Sequence, residues 1–472
     1  MSMLTNSHVA RVSLTHTPSL SSRLDHSELT ASPPLTLAMT LQVHQLSYSP
    51  LSAHAFNSDR SKVAVSPNTN EIIIYAQTPA GWVLEHTLVE HDKVVTSLDW
   101  APHTNRIVSC SQDRNAYVWS LSTDAATRAP VWKPTLVLLR LNRGATAVRW
   151  SPREDKFAVA SSARTISVCS FEEDNDWWVA KHIKRPLRST VSTIDWHPNN
   201  VLLAAGSADT YARVFSAYIK GVDSKPPPSV WGERLPFGTV CGEFTTPNAG
   251  WVHGVSFSPN GDALAFVGHD ASLTVVYPSA PEAPPHAVHV VRLPSLPYVS
   301  VLFTSETSLV AAGHDCQPIL FEGGREQGWR LARSLDAVGA AASKPKPPPP
   351  PPKAAGLASA PSGVGRLNNE AFARFREADS RGKSPVPTPG EGGAFAPTSL
   401  GAVAGASIAD DGELHTTHQN TITNVRPYSG TREAVTAVST SGVDGRLCVF
   451  DTSKGSTAIA PILRGVASLR IQ

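Results

Sequence analysis

The hydrophobic and polar positions of this chain alternate in short runs with the period of strands, not of helices. Three segments share one plan: VTSLDWAPHTNRIVSCSQDRNAYVWSL (95–121), ATAVRWSPREDKFAVASSARTISVCSF (145–171) and VSTIDWHPNNVLLAAGSADTYARVFSA (191–217). In each, an alternating run ends in a tryptophan (Trp100, Trp150, Trp196), and a proline turn follows two residues later (Pro102, Pro152, Pro198). Period-two alternation sends successive side chains to opposite faces of a strand. A small-residue strand, a polar turn and a third strand ending in an aromatic complete each copy.

Weaker copies lie at 252–278, with Phe257 and Pro259 in the tryptophan and proline places, and at 299–322, with Phe303 and no proline. A first copy at 52–75 and a last at 434–452 bring the number to seven. Segments between copies, such as 82–90, 134–141 and 177–184, supply a fourth strand. Four-stranded units recurring every ~40–50 residues predict an all-β, seven-bladed β-propeller. One such unit cannot bury both of its faces, whereas seven arranged around an axis cover one another and protect their edges.

Aspartates recur at one turn of the repeat: Asp113, Asp209, Asp270, Asp315 and Asp444. A carboxylate there bonds backbone N–H groups and closes the turn. Two copies read Gly-His-Asp, with His269 before Asp270 and His314 before Asp315. Such pairs suit a metal or a charge couple; repeated at one blade position, they are better explained as ties between strands and turns.

Between the sixth and seventh copies the pattern stops. The predicted organisation is a disordered extension at 1–40, blades one to six at 41–334, a Pro/Ala/Gly-rich insert at 335–415, and the last blade with a tail at 416–472. Six consecutive prolines (347–352) favour an extended polyproline II rod. A smaller insertion, 220–238, is expected between blades four and five. Inside the large insert, LNNEAFARFREADSRG (367–382) predicts a helix over 368–381. Asn368 is the N-cap, and Leu367 and Phe372 form a hydrophobic staple. Leu367, Ala371, Phe375 and Ala378 share a face, Arg374 and Arg376 point elsewhere, and Gly382 is the stop. Helices this short are marginal alone, so two readings stand: a helix-in-groove ligand for another protein, or a helix packed back on its own propeller.

Composition narrows the chemistry. With 472 residues, 41 basic and 39 acidic, the net charge is +2, which does not argue for nucleic acid or a membrane surface as partner. No apolar run is long enough for a transmembrane helix. The five cysteines form no CxxC pair, which points to reduced thiols and not to zinc or disulfides. No GxSxG, HExxH, P-loop or GxGxxG occurs, and no cofactor is expected. Residues 1–24, with Arg11 and Arg23 and no acid, faintly resemble a transit peptide; a disordered extension ahead of Met39 is the simpler reading. A basic run, KHIKRPLR, holds Lys181, Lys184, Arg185 and Arg188 beside the acidic-aromatic FEEDNDWWVA. It reads equally as solvated loops or as a surface for an acidic partner segment.

The stretches 95–121, FEEDNDWWVAKHIKRPLRSTVSTIDWHPNNVLLAAGSAD (171–209), GWVHGVSFS (250–258) and SLVAAGHD (308–315) resemble the WD-repeat subunit of the actin-related protein 2/3 complex, of a fungal type with a long insert. The likeness runs from about residue 41 to 451, insertions apart. WD-repeat proteins at large do not share the DWW–HIK and DWHPNN–VLLAAGS stretches. The resemblance implies a seven-bladed scaffold without enzymatic activity, in a complex that nucleates actin filaments as branches. It implies other subunits, filament actin and nucleation-promoting factors as partners, the last through acidic tails, and a cytoplasmic location in cortical actin patches. It also implies that the insert helix, with Phe372, Phe375 and Arg376 nearest the family pattern, meets the mother filament. The 38-residue extension, the polyproline run and the proline-rich 281–297 depart from the family, and the last puts the fourth strand of blade five in question. The polyproline run is a spacer or a ligand for proline-binding modules. A free-standing adaptor for acidic or phosphorylated peptides is the alternative function.

Overall fold

The run VTSLDW forms the strand Val95–Trp100, with Val95, Ser97, Leu98 and Trp100 buried. It is the innermost strand of one of seven antiparallel four-stranded sheets. The computed structural model describes residues 41–336 apart from 126, 234, 247, 281 and 282, together with 414 and 416–452. The predicted insert helix, with Leu367, Phe372, Arg374, Phe375 and Arg376, lies outside the described residues. The helical content among the described residues is one 3-10 turn, Glu173–Asn175.

The seven sheets are the blades of the predicted propeller. Each seam between neighbours holds its own apolar cluster. Val118, Val137, Trp150, Phe157 and Trp178 fill the seam between blades two and three. Phe56, Val63, Tyr428 and Val449 fill the seam where blade seven meets blade one. Each large apolar side chain so buried contributes roughly 1.5–3 kcal/mol, and the seams together stabilise a ring that no single blade could maintain.

The repeat tryptophans sit at these seams with different partners. Trp100 packs edge-on against Trp132 with centroids 5.6 Å apart, and its Nε1 donates to Asn105 Oδ1 at 2.8 Å. Trp196 Nε1 donates to the Arg149 carbonyl of the preceding blade at 3.1 Å. Trp150 Nε1 has no hydrogen-bond partner among the described residues, and its ring instead carries the Arg106 guanidinium 5.0 Å from the centroid.

Three details differ from expectation. Blade seven begins with Ile422–Gly430, so the run at 434–452 supplies its second and third strands, Val435–Gly442 and Arg446–Asp451. Its outermost strand is Gln42–Gln45, paired from Gln42↔Val449 to Gln45↔Arg446, so the first described strand closes the ring on the last. The insertion at 220–238 lies inside blade four, between Tyr211–Ser216 and Val240–Thr245, and not between blades four and five. It is anchored by a buried ion pair between Lys156 and Asp223, and Lys156 Nζ also lies 5.3 Å from the Trp196 centroid. The proline-rich stretch nevertheless supplies blade five with its fourth strand, Ala287–Arg292, once Pro284 and Pro285 have passed.

The two ends of the ring differ. The lower face carries the turns that follow each inner strand, and neighbouring turns clip together. The Glu154 carboxylate accepts from His103 N at 2.8 Å and Thr104 N at 2.7 Å, and Asn200 Oδ1 accepts from Arg153 N at 2.9 Å. His197 Nε2 meets the Gly261 carbonyl at 3.2 Å. Gly261 has φ +87, and a Cβ there would lie 1.9 Å from His197 Nε2, so only glycine fits. The upper face carries the aspartate turns and the links between blades. Both ends of the large insert reach this face, where Thr417 N and Oγ1 donate to the Asp336 carboxylate at 2.6 and 2.9 Å.

Candidate functional site

The upper turns hold the residues that sequence singled out. In blade two the Asp113 carboxylate accepts from His91 Nδ1 at 2.7 Å, from Asn115 N at 2.9 Å and from Asp92 N at 3.2 Å. His91 Nε2 lies 2.9 Å from Ser109 Oγ, which also accepts from Trp119 Nε1 at 2.9 Å. With the aspartate ionised, His91 donates from Nδ1. Burial pushes the Asp113 carboxyl up, but the His91 hydrogen bond and the two backbone donors outweigh it and hold the group below its ordinary value. Blade seven repeats the device: His418 Nδ1 lies 3.1 Å from both Asp444 oxygens and its Nε2 2.7 Å from Thr440 Oγ1.

The Gly-His-Asp pairs are built differently. Asp270 accepts from Asn248 Nδ2 and Ser272, while His269 Nδ1 faces His253 Nε2 at 2.9 Å. Asp315 accepts from Leu296 N, while His314 Nδ1 faces Thr421 Oγ1 at 3.0 Å. These aspartates accept from the preceding link or from their own turn, and neither is bonded to the histidine beside it. The histidines that do couple, His91 and His418, come from the link before the blade, 22 and 26 residues ahead of their aspartates. Sequence reasoning missed them because it compared neighbours within one turn. In blade four Asp209 takes Arg188 N at 2.9 Å and both of its oxygens bind the buried Arg213 guanidinium at 2.9 Å.

Blade three breaks the series. Its turn, Ser161-Ser162-Ala163-Arg164, has alanine where the equivalent turns have Asp113 and Asp209. Arg143 and Arg188 approach from the adjoining links, and with Arg164 they line a cleft of about 360 Å³ with Asn142, Ser162 and Ser189. All three arginines are exposed. No carboxylate lines this cleft. Three planar guanidinium groups, each a fork of donors, suit a carboxylate-bearing or other anionic partner.

Of the four cations singled out in KHIKRPLR, Arg188 lines the cleft. Lys184 and Arg185 are exposed on the same link, and Lys181 is exposed on the outer strand Trp177–Ile183. The acidic-aromatic run turns at Glu173–Asn175 on the lower face, so that strand separates it from the basic link by about 23 Å. Arg143 and Arg164 escaped sequence reasoning because they come from separate loops. One link further round the upper face, Trp251 is 57% exposed with its ring 5.7 Å from His269.

All five thiols are buried and unpaired, and burial pushes Cys110 and Cys241 up to about 12. Among the described residues no group of three or more His, Cys, Asp or Glu is placed to hold a metal ion, and no helix is long and apolar enough to cross a membrane.

A ring of seven four-stranded blades, five of whose upper turns carry an aspartate, defines a WD-repeat propeller. The WD domain, G-beta repeat family matches residues 82–120 and 181–216. Each match starts in the outer strand of one blade and ends in the third strand of the next, the stagger that puts His91 and Asp113 in one unit. Along its length the chain is 49% identical over 412 residues to actin-related protein 2/3 complex subunit 1 of Schizosaccharomyces pombe, covering 87% of this chain and 99% of that protein. It is 43% identical to subunit 1A-A of Xenopus laevis over 413 residues (87% and 96%), and 36% identical to subunit 1 of Saccharomyces cerevisiae over 419 (86% and 96%). The chain belongs to the family of actin-related protein 2/3 complex subunit 1.

Proposed function

We propose that this chain is a non-enzymatic scaffold subunit of an actin-related protein 2/3 complex and supports actin filament nucleation and branching. The observation that carries the reading is its likeness to subunit 1 proteins along nearly their whole length. Its partners are the other subunits, the side of an actin filament and nucleation-promoting factors, in the cytoplasm at cortical actin patches.

Two surfaces divide this work. The upper face of blades three and four receives acidic segments of promoting factors through Arg143, Arg164 and Arg188, with Lys184 and Arg185 beside them and Lys181 at the margin. The absence of any carboxylate from the cleft supports this. The insert carries Leu367, Phe372, Arg374, Phe375 and Arg376 to the filament, and the anchoring of both its ends on the upper face is consistent with that role.

Reconstitution with the other subunits tests the scaffold reading. The expected result is one stoichiometric assembly containing this chain; recovery of the chain alone, binding acidic or phosphorylated peptides, points to a free-standing adaptor instead. Deleting 367–382 should leave assembly intact and sharply reduce branches counted on labelled filaments. Unchanged branching removes the filament role from the insert.

A further inference from the structure

The central channel of the propeller carries more positive charge than its own carboxylates neutralise. Its cavity of about 510 Å³ is walled by the inner strands. In the upper half the wall is neutral, and its hydroxyls bridge blade to blade: Ser52 to the Val95 carbonyl, Thr96 to Ala145, Thr146 to Val191 and Thr423 to Leu51, at 2.5–3.1 Å. These donors are already engaged.

The lower half is ionic. The residue before the Trp, Phe or Pro position of each inner strand is Asp99 in blade two, Arg149 in blade three, Asp195 in blade four and Arg426 in blade seven. Arg426 Nη1 bonds Asp99 Oδ1 at 2.5 Å and its Nη2 donates to the Leu98 carbonyl at 2.7 Å, so the last blade reaches across blade one to blade two. Arg432, from the lower turn of blade seven, donates to the Trp196 carbonyl of blade four at 3.2 Å. Arg60 also lines the cavity and donates to the Tyr428 carbonyl at 2.6 Å.

Four arginines and one carboxylate, Asp195, therefore line the cavity, with Asp99 beside it and Asp59 and Glu433 outside it near Arg60 and Arg432. Asp99 is bound to Arg426 and to Trp150 N, and Asp195 accepts Phe257 N at 2.9 Å. Arg149 has one side-chain hydrogen bond among the described residues, to the Val148 carbonyl at 3.2 Å. The Nε of Arg426 is buried without a partner among the described residues. Burial pushes Arg149 down to about 10, and the neighbouring charge of Arg426 adds to that, against the pull of Asp99 and Asp195. Like charges at close range repel, and a guanidinium presents its donors in the plane that an oxyanion accepts.

We propose that the lower half of the channel binds a phosphate-sized oxyanion between Arg149, Arg426 and Arg432. The site is distinct from the upper cleft and shares no arginine with it. Free phosphate and a phosphate monoester offer the same chemistry, so both serve as probes.

Thermal unfolding of the full chain is followed in sodium phosphate, in glycerol phosphate and in sodium chloride at matched ionic strength. Ligand at ten times its dissociation constant should raise the midpoint by about 2 °C over chloride. Arg149→Gln should weaken that response about tenfold, and Arg164→Ala in the upper cleft should leave it intact. If Arg149→Gln does not fold, Arg432→Gln on the exposed lower turn should still weaken it several-fold. Either probe acting through Arg149 or Arg432 supports the site, and the stronger one names the source. Equal midpoints in phosphate, monoester and chloride overturn it. So does a response that survives Arg149→Gln, or both channel variants, and disappears in Arg164→Ala.

Discussion

Blades two and three share a strand plan and differ at one upper turn. In blade two Asp113 gathers Asn115 N, Asp92 N and the buried His91, and the network continues inward through Ser109 to Trp119. In blade three Ala163 gathers nothing, and three exposed arginines surround it. The first turn uses its carboxylate to hold the blade together. The second has no carboxylate at that position, and its cations stay exposed. One position thus separates a turn closed by its carboxylate from the turn proposed to meet an acidic segment.

The largest effect is expected where the comparison is broken on the blade-two side. Asp113→Ala leaves the buried His91 without its acceptor and turns the Asn115 and Asp92 N–H groups toward water, which should cost about 2 kcal/mol. Calorimetric or denaturant unfolding would detect it, and a loss under about 0.5 kcal/mol would mean that the network is ornamental. Acid titration sharpens the same contrast. The folded Asp113 and Asp444 carboxyls lie below their ordinary value of 3.8. Their contribution is complete above that value and is lost as pH falls through the lower, folded one. Unfolding curves of Asp113→Ala should therefore lose less stability below pH 3.8 than those of the parent chain; identical slopes would count against the coupling.

Smaller effects belong to blade three. Ala163→Asp would give its turn the carboxylate found in blades two and four and place it among the arginines. Stability should change by no more than about 0.5 kcal/mol, while affinity for an acidic peptide, measured by fluorescence anisotropy at fixed salt, should fall several-fold. Lys181→Ala, on the outer strand, should change neither quantity. An effect of Lys181→Ala as large as that of Ala163→Asp would move the binding surface away from the cleft.

Much of this fold was legible because strand periodicity is local. The alternation up to Trp100, Trp150 and Trp196 needs no knowledge of distant residues, and seven such units imply closure. The pairing of Gln42–Gln45 with Arg446–Asp451 was not legible, since a four-residue strand carries little pattern and its partner lies about 400 positions away. The inner strand of blade seven, Ile422–Gly430, was hidden because Pro427 interrupts its alternation. The site was readable only in part. KHIKRPLR is a visible cluster of charge, yet the cleft draws Arg143, Arg164 and Arg188 from three loops, and single arginines in loops look alike until the blades bring them together. The Gly-His-Asp pairs, read as ties between strands and turns, did not point to the coupled histidines, because neither Asp270 nor Asp315 bonds the histidine beside it while His91 and Asp113 converge from 22 residues away.

The central claim is that the upper face of blades three and four receives an acidic segment within an assembled branching complex. The most direct test converts Arg143, Arg164 and Arg188 to glutamate together, reconstitutes the chain with the other subunits, and counts filament branches with an acidic promoting factor present. The account predicts full assembly with branching reduced at least about tenfold, the scale of losing more than ~1.4 kcal/mol of binding. Full assembly with undiminished branching would contradict it.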